Sequence, residues 1–427
     1  MLLVYTHKIT PRVSYVFKHI CTRVLGVSVK FTTKLEEFIA YEGAKLSYTS
    51  KKLGNELHIR SVDLLFEQGI LAIDIAVQDW EGVPCFFQIK DASAQIPYDI
   101  FAASFYLLSR YEEYLPHVKD SLGRFPASES LAGMHNFLEQ PVIDIWIQRF
   151  ARVLTTQFPD LITKKTDYKV HMLVTVPQSF KYKKLGVLRA VGGYFRDFGK
   201  LRFREILKRS QVLLGTRKDP YDSFGWLANV QKQSAIPFQI FFQIGDYGQT
   251  AKNIKHSKRS FQSTIKMIGD YCSVGLLLSP QAATDRQVLA VERKRLQEII
   301  HRPMRSMHVS DFKLNLPYVY RDALDQEIQS DYTMGYANTT GFRAGTSLSF
   351  LFYDLDYEIQ TPLLIHPVCM QSDNVINYKN HTIDFVNLKA LSDRIKKVNG
   401  VFRISFSNHS FDDIYSKKLF RHLLADE

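Results

Sequence analysis

Beyond residue 165 the chain alternates short apolar runs with longer stretches whose apolar residues recur at helical spacing. The runs fall at 169–176, at PFQIFFQIG (237–245), at CSVGLLLS (272–279) and at RSMHV (305–309). They continue at EIQSDYTM (327–334), TPLLIHPV (361–368) and GVFRISFS (400–407). The stretch ATDRQVLAVERKRLQEII is one of the helical patterns between them, with Val288, Val291, Leu296 and Ile299 expected inward. Repeated βα units predict a parallel sheet or a (β/α) barrel, with functional side chains on the loops at the carboxyl ends of the strands. An open doubly wound sheet is the alternative. The first of these strands, in HMLVTVPQSF (171–180), delivers Pro177, Gln178 and Ser179 to that end, and none of them can hold a charge.

The part before this rhythm reads differently. Strand-like LLVYT, VSVKF, KLSYTS and VPCFFQI mix with two helices. PYDIFAASFYLLSRYEEYL places Ile100, Phe101, Phe105 and Leu108 on one face. PVIDIWIQRFARVLTTQF begins with Pro141 near its first turn and turns Ile145, Phe150, Val153 and Leu154 inward. An α+β domain over 1–165, followed by an α/β domain over 166–427, also suits a chain of 427 residues, which exceeds one comfortable core.

Several function classes lose support at this stage. No apolar run reaches the ~18 residues of a membrane span, and the N-terminus reads as a strand followed by a helix rather than a leader peptide. Cys21, Cys85, Cys272 and Cys369 are scattered without CxxC spacing, as reduced thiols of a cytoplasmic protein would be. GxGxxG and Walker A strings are absent, and so are HxH and HExxH. The net charge of +12 is concentrated: between Lys181 and Lys218, twelve Lys or Arg face only Asp197 and Glu205. There Val187, Val191, Tyr194, Phe195, Phe198 and Leu201 recur at helical spacing, with Gly192 and Gly193 expected to interrupt or kink the helix. The simplest expectation is a helix packed on the domain with a solvated basic face. The alternative is an arm that meets an anionic membrane or an acidic polysaccharide. Nucleic acid is not expected, because no binding motif accompanies the charge.

SDYTMGYANTTGFRAGTS (330–347) is the most unusual text in the chain. Gly335, Gly341 and Gly345 punctuate it, and its charged members, Asp331 and Arg343, are expected to pair with each other or to clamp an anion. In order, DPYDSF (219–224), FFQIGDYG (241–248), VGLLLSP (274–280), this glycine-arginine string and ISFSNHS (404–410) resemble a bacterial branch of the polysaccharide deacetylases. FAASFYLLSRYEEYLPHVKDSLGRF (101–125) looks like the N-terminal domain that precedes the barrel in that branch. The resemblance implies an irregular (β/α) barrel, a carbohydrate esterase activity, and a divalent metal, usually zinc, held by one Asp and two His. A second Asp serves as general base.

This sequence departs from that pattern at the chemistry itself. Where the branch carries Asp-x-Asp after Thr-Val, TVPQS has Pro177 and Ser179. Where Gly-Leu-His-Pro-Ser is typical, GLLLS has Leu277. In the closing Trp-His-Asn-x-Ser string, Ser407 takes the His place, Asn408 stays, and His409 is displaced by two positions. RSMHVSDF keeps His308 in a shifted register. A metal hydrolase needs about three protein ligands and a proton acceptor, which Pro, Ser and Leu do not supply. The expectation is therefore a catalytically degenerate protein without bound metal, whose cleft binds a glycan or a partner. The competing expectation is a rebuilt hydrolase of carbohydrate acyl groups, assembled from His308, Asp331, Arg343 and His409 in one pocket, with Tyr332 and Asn408 as further members of the candidate cleft.

Overall fold

The computed structural model of the chain describes residues 1–90, 94–246, 248 and 253–425, with residues 187–189 described by backbone only. Tyr247 of the FFQIGDYG string and the Val187 side chain lie outside the described set. The chain gathers into two compact units, one of 1–169, 334–369 and 389–402, the other of 170–333, 370–388 and 403–427. It thus crosses between units several times, where the sequence suggests a single boundary after residue 165.

In the first unit, β1 (Leu2–Tyr5), β2 (Val29–Thr32), β3 (Lys45–Thr49) and β4 (Leu57–Arg60) form a parallel sheet in the order β2-β1-β3-β4. Pro11 opens helix α1 (Pro11–Phe17), and the Thr10 hydroxyl caps it by accepting the Val13 amide. Helix α2 (Ile100–Leu108) is buried on every side, so a one-faced reading of it is too narrow. Phe101 stacks on Phe17 with ring centroids 3.8 Å apart. Helix α3 (Val142–Gln157) buries Val142, Ile143, Trp146, Ile147, Phe150 and Leu154, while Ile145 and Val153 are half-buried.

From Met334 onward the glycine-arginine string belongs to this first unit. Gly345 has φ +66°, and a Cβ there would lie 2.7 Å from Leu107 Cδ1, so only glycine fits against α2. Its carbonyl accepts the Ile143 amide at 3.0 Å. Asp144 Oδ2 accepts both the amide and the hydroxyl of Ser347, at 2.8 and 2.6 Å. The apolar run at 361–368 forms most of a strand, Ile359–Ile365, antiparallel to Phe350–Asp354. It is thus half of a hairpin rather than another parallel βα unit.

The second unit carries the βα rhythm. Its strands are β5 (Lys169–Val176), β6 (Gln239–Phe242), β7 (Ser273–Leu278), β8 (Ser306–Val309), β9 (Ser330–Asp331), β10 (Met370–Gln371) and β11 (Val401–Ser407). They run in the order β9-β8-β7-β6-β5-β11-β10. The pairs β5/β6, β6/β7, β7/β8, β8/β9 and β10/β11 are all parallel. This is an α/β architecture with a large, mostly parallel sheet, and among the described residues no ladder joins β9 to β10.

Helices of this unit include α4 (Val187–Gly199), α5 (Phe203–Leu213) and α6 (Arg286–Ile300). In α6 the buried residues are Leu289, Glu292, Leu296 and Ile299, whereas Val291 is 46% exposed. The buried face is rotated from the expected one, with Glu292 drawn inward to accept the Ser279 amide at 3.2 Å. Helix α4 runs unbroken through Gly192 and Gly193, contrary to the expected interruption. Among the described residues no helix is long and apolar enough to cross a membrane. All four cysteines are buried and free.

Candidate functional site

A cleft of about 400 Å³ opens where the parallel strands of the second unit end. Its wall takes Pro177 and Gln178 from beyond β5, Gln243 from beyond β6, and Leu277 and Pro280 from the end of β7. His308, Ser310, Asp311 and Phe312 come from β8 and the turn after it. Ser405, Phe406 and Ser407 come from β11, His409 from the turn after it, and Gln371 and Asp373 from β10 and its turn. Parallel strands place successive carboxyl ends side by side, so residues far apart in sequence converge here.

Two imidazoles dominate the chemistry. His308 is 1% exposed, and its Nδ1 lies 2.9 Å from the Val309 carbonyl oxygen. A carbonyl only accepts, so Nδ1 carries the proton and Nε2 is left with a lone pair. That Nε2 is buried and has no hydrogen-bond partner. The ring sits edge-on to Phe312, with centroids 4.8 Å apart. Burial holds its pKa down at about 4, against the Val309 hydrogen bond, which raises it.

His409 repeats the pattern from the turn after β11. Its ring stacks on Tyr221 at 3.8 Å and 15°. Burial lowers its pKa to about 4, opposed by a hydrogen bond with the Gln178 backbone. Its Nε2 is likewise buried without a partner. Asn408, fully buried, donates from Nδ2 to the carbonyls of Gln178 and Tyr221 at 2.9 and 3.1 Å. It ties the end of β11 to the loops that hold His409. Asp311 and Phe312, directly after β8, both have φ 55°, a left-handed conformation that side chains resist.

The remaining candidates are dispersed. Asp331 is fully buried and accepts from Tyr320 Oη at 2.7 Å, from the Thr333 amide at 2.9 Å and from the Thr333 hydroxyl at 2.6 Å. Those bonds anchor β9 and do not line the cleft. Tyr332 lines a different hollow, beside Gln239, Ser273 and Ser306 near the amino ends of their strands. Ser179 is fully buried, its amide facing Asn253 Oδ1 at 3.3 Å, and it is not part of the cleft wall.

Arg343 does not pair with Asp331. Its Nε and Nη2 donate to the two Glu113 oxygens at 2.8 and 2.6 Å, and its Nη1 to the Gly335 carbonyl at 3.2 Å. Arg110 completes the cluster, with Nε on Glu113 at 2.8 Å and Nη2 on Glu112 at 2.6 Å, and Nη1 on the Arg343 carbonyl. Burial would raise the Glu113 pKa, but the charges of Arg343 and Arg110 hold it below the usual carboxylate range. The arginine is a structural tie of the first unit, and its carboxylate is supplied by the RYEEY stretch.

Sequence reasoning missed Gln243, Asp311, Asp373 and the Tyr221 ring. Gln243 and Tyr221 stand inside the FFQIGDYG and DPYDSF strings, which do not indicate that Gln243 lines the cleft or that Tyr221 stacks on His409. Pro177, Leu277 and Ser407 supply neither carboxylate nor imidazole, and no three His, Cys, Asp or Glu among the described residues are grouped to hold a metal.

Residues 2–159 match a protein family of unknown function, DUF7033. No curated protein matches the chain. Among solved structures, a Mycobacterium smegmatis protein assigned as a polysaccharide deacetylase is similar with a TM-score of 0.40 and 11% identity, over 62% of this chain and 84% of that one. IcaB from Ammonifex degensii is similar with a TM-score of 0.23 and 14% identity, over 40% of this chain and 87% of its own. Both likenesses are too distant to carry an activity to this chain.

Proposed function

We propose that the second unit is a deacetylase-like scaffold whose carboxyl-end cleft binds a neutral polyhydroxylated ligand, a glycan, without hydrolysing it. One observation carries the reading: His308 and His409 both line the same cleft, and each keeps a buried Nε2 with no partner. Buried polar atoms are almost always satisfied, so two open acceptors in one hollow favour a ligand that donates hydrogen bonds. Sugar hydroxyls do. Among the described residues no Lys or Arg lines the cleft, whereas Asp311 and Asp373 do, which disfavours phosphate or carboxylate ligands. Phe312 and Phe406 add apolar faces against which a sugar ring can rest.

The wall residues Pro177, Leu277 and Ser407 supply neither carboxylate nor imidazole, which supports a reading without hydrolysis. Titration calorimetry of the full chain with neutral glucan and N-acetylglucosamine oligomers tests this, with released acetate measured in parallel. The expected result is binding without acetate. His308→Leu should weaken it roughly five- to tenfold, as one hydrogen bond of about 1 kcal/mol is lost. Failure of every neutral oligomer to bind would overturn the reading.

The left-handed Asp311 and Phe312 beside His308 favour a second reading, because strained backbone gathers at reactive sites. Here His308 Nε2 would accept a proton from the attacking water in a rebuilt hydrolase, although a pKa of about 4 makes it a weak base. Acetate release that His308→Leu abolishes would establish this second reading in place of the first.

A further inference from the structure

The hairpin of α4 and α5 is built inside out. Its helices meet through polar groups: Arg209 Nη2 bonds Asp197 Oδ2 at 2.6 Å, with both side chains nearly excluded from water. Tyr194 Oη and Ser210 Oγ are 2.8 Å apart. The Arg209 guanidinium lies over the Tyr182 and Tyr194 rings at 4.8 and 5.5 Å. Gly193 makes room for it, since a Cβ there would collide with the guanidinium.

Val212 is buried, but many of the larger apolar side chains of the hairpin are exposed. Phe195 is 75% exposed, Phe198 64%, Leu201 72%, Phe203 56%, Leu207 63% and Leu214 80%. Phe198 and Phe203 are neighbours, with ring centroids 6.4 Å apart, so part of this face is continuous. Single exposed apolar residues are ordinary, but a row on consecutive helices marks an interaction surface. Water favours the opposite arrangement, with ions outside and rings within.

Charge identifies what covers this face. Of the twelve Lys or Arg between Lys181 and Lys218, Lys200, Arg202 and Arg204 are exposed beside the apolar row. The two acids of the segment are already engaged, Asp197 by Arg209 and Glu205 by Lys181. A second copy of the chain would bring two such cationic segments together and is disfavoured. A nucleic acid would leave the phenylalanines and leucines unused. Helices of 13 and 11 residues are too short to span a bilayer. We infer that this hairpin docks on an anionic membrane surface, lying in the interface with Phe195, Phe198, Leu201 and Phe203 at the acyl boundary and its cations among the phosphates.

Co-sedimentation of the full chain with phosphatidylcholine vesicles, with and without about one-third phosphatidylglycerol, tests the inference at about 50 mM and about 500 mM salt. Binding is expected to the anionic vesicles at low salt and to weaken at high salt. The triple variant Phe195→Ser, Phe198→Ser, Leu201→Ser should lose it. The variant Lys200→Gln, Arg202→Gln, Arg204→Gln should bind on the order of a hundredfold more weakly, roughly fivefold per cation. All six side chains are exposed, so both variants should retain the far-ultraviolet circular dichroism of the parent. In a Phe198→Trp variant, blue-shifted emission on adding anionic vesicles reads insertion without sedimentation. No binding of the parent at low salt, or serine and glutamine variants that bind as the parent does, would overturn the inference. So would a dimer, formed without lipid, that the serine variant dissolves.

Discussion

The cluster around Arg343 and the cleft beside His308 both bury polar side chains, but they treat them oppositely. In the first, Nε, Nη1 and Nη2 of Arg343 all have partners, and Glu113 answers two guanidinium groups. In the second, two imidazoles each engage a backbone carbonyl on one nitrogen and keep the other open. A satisfied cluster contributes to the stability of its unit. An unsatisfied pair costs stability in the empty protein and is repaid only by something that enters.

The largest expected effect lies on the satisfied side. Glu113→Ala leaves Arg343 and Arg110 buried without their shared carboxylate, and should destabilise the chain by about 3–5 kcal/mol in urea unfolding. A loss below about 1 kcal/mol would break the comparison, because the cluster would then behave like an exposed pair. On the unsatisfied side, His308→Leu should change stability by only about 1 kcal/mol, since loss of the Nδ1 bond to the Val309 carbonyl is offset by removal of a buried acceptor that had no partner. A loss as large as that of Glu113→Ala would show His308 to be a structural residue.

The two regions should also separate by pH. The folded pKa of His308 and His409 is lowered by burial to about 4, from 6.5. Between those values the unfolded chain binds more protons, so the contribution of both residues is full above about 6.5 and is lost as pH falls towards 4. The Glu113 pKa is depressed by its arginines, so its contribution persists below that of the histidines and is lost only as acid protonates the carboxylate. His308→Leu should therefore flatten the stability curve between pH 6.5 and 4.5, and Glu113→Ala should leave that slope in place. Equal slopes in the parent and in His308→Leu would contradict a buried neutral imidazole.

The parallel sheet was legible because periodicity is a local signal. Strands at Lys169–Val176, Ser273–Leu278 and Val401–Ser407 stand where apolar runs end at turn residues. Pro177, Leu277, His308 and His409 could be placed at strand ends for the same reason, and the fold brings them to one cleft. The partner of Arg343 was not legible: Glu113 lies 230 positions away, and no pattern in a single sequence links them. Asp331 was nearer in sequence and misleading. The basic hairpin shows a third limit. Its helical spacing was readable, but which face its neighbours cover depends on the buried Arg209–Asp197 contact and on Gly193.

The claim that the open imidazoles await a glycan is tested most directly by nitrogen-15 spectra of the histidine rings during titration with a neutral oligosaccharide near pH 7. The account predicts that His308 and His409 begin as neutral rings protonated on Nδ1, and that both Nε2 resonances shift together and saturate as sugar hydroxyls bond to them. Resonances that begin as imidazolium, or that stay unmoved at saturating concentrations of every neutral oligosaccharide tried, would contradict it.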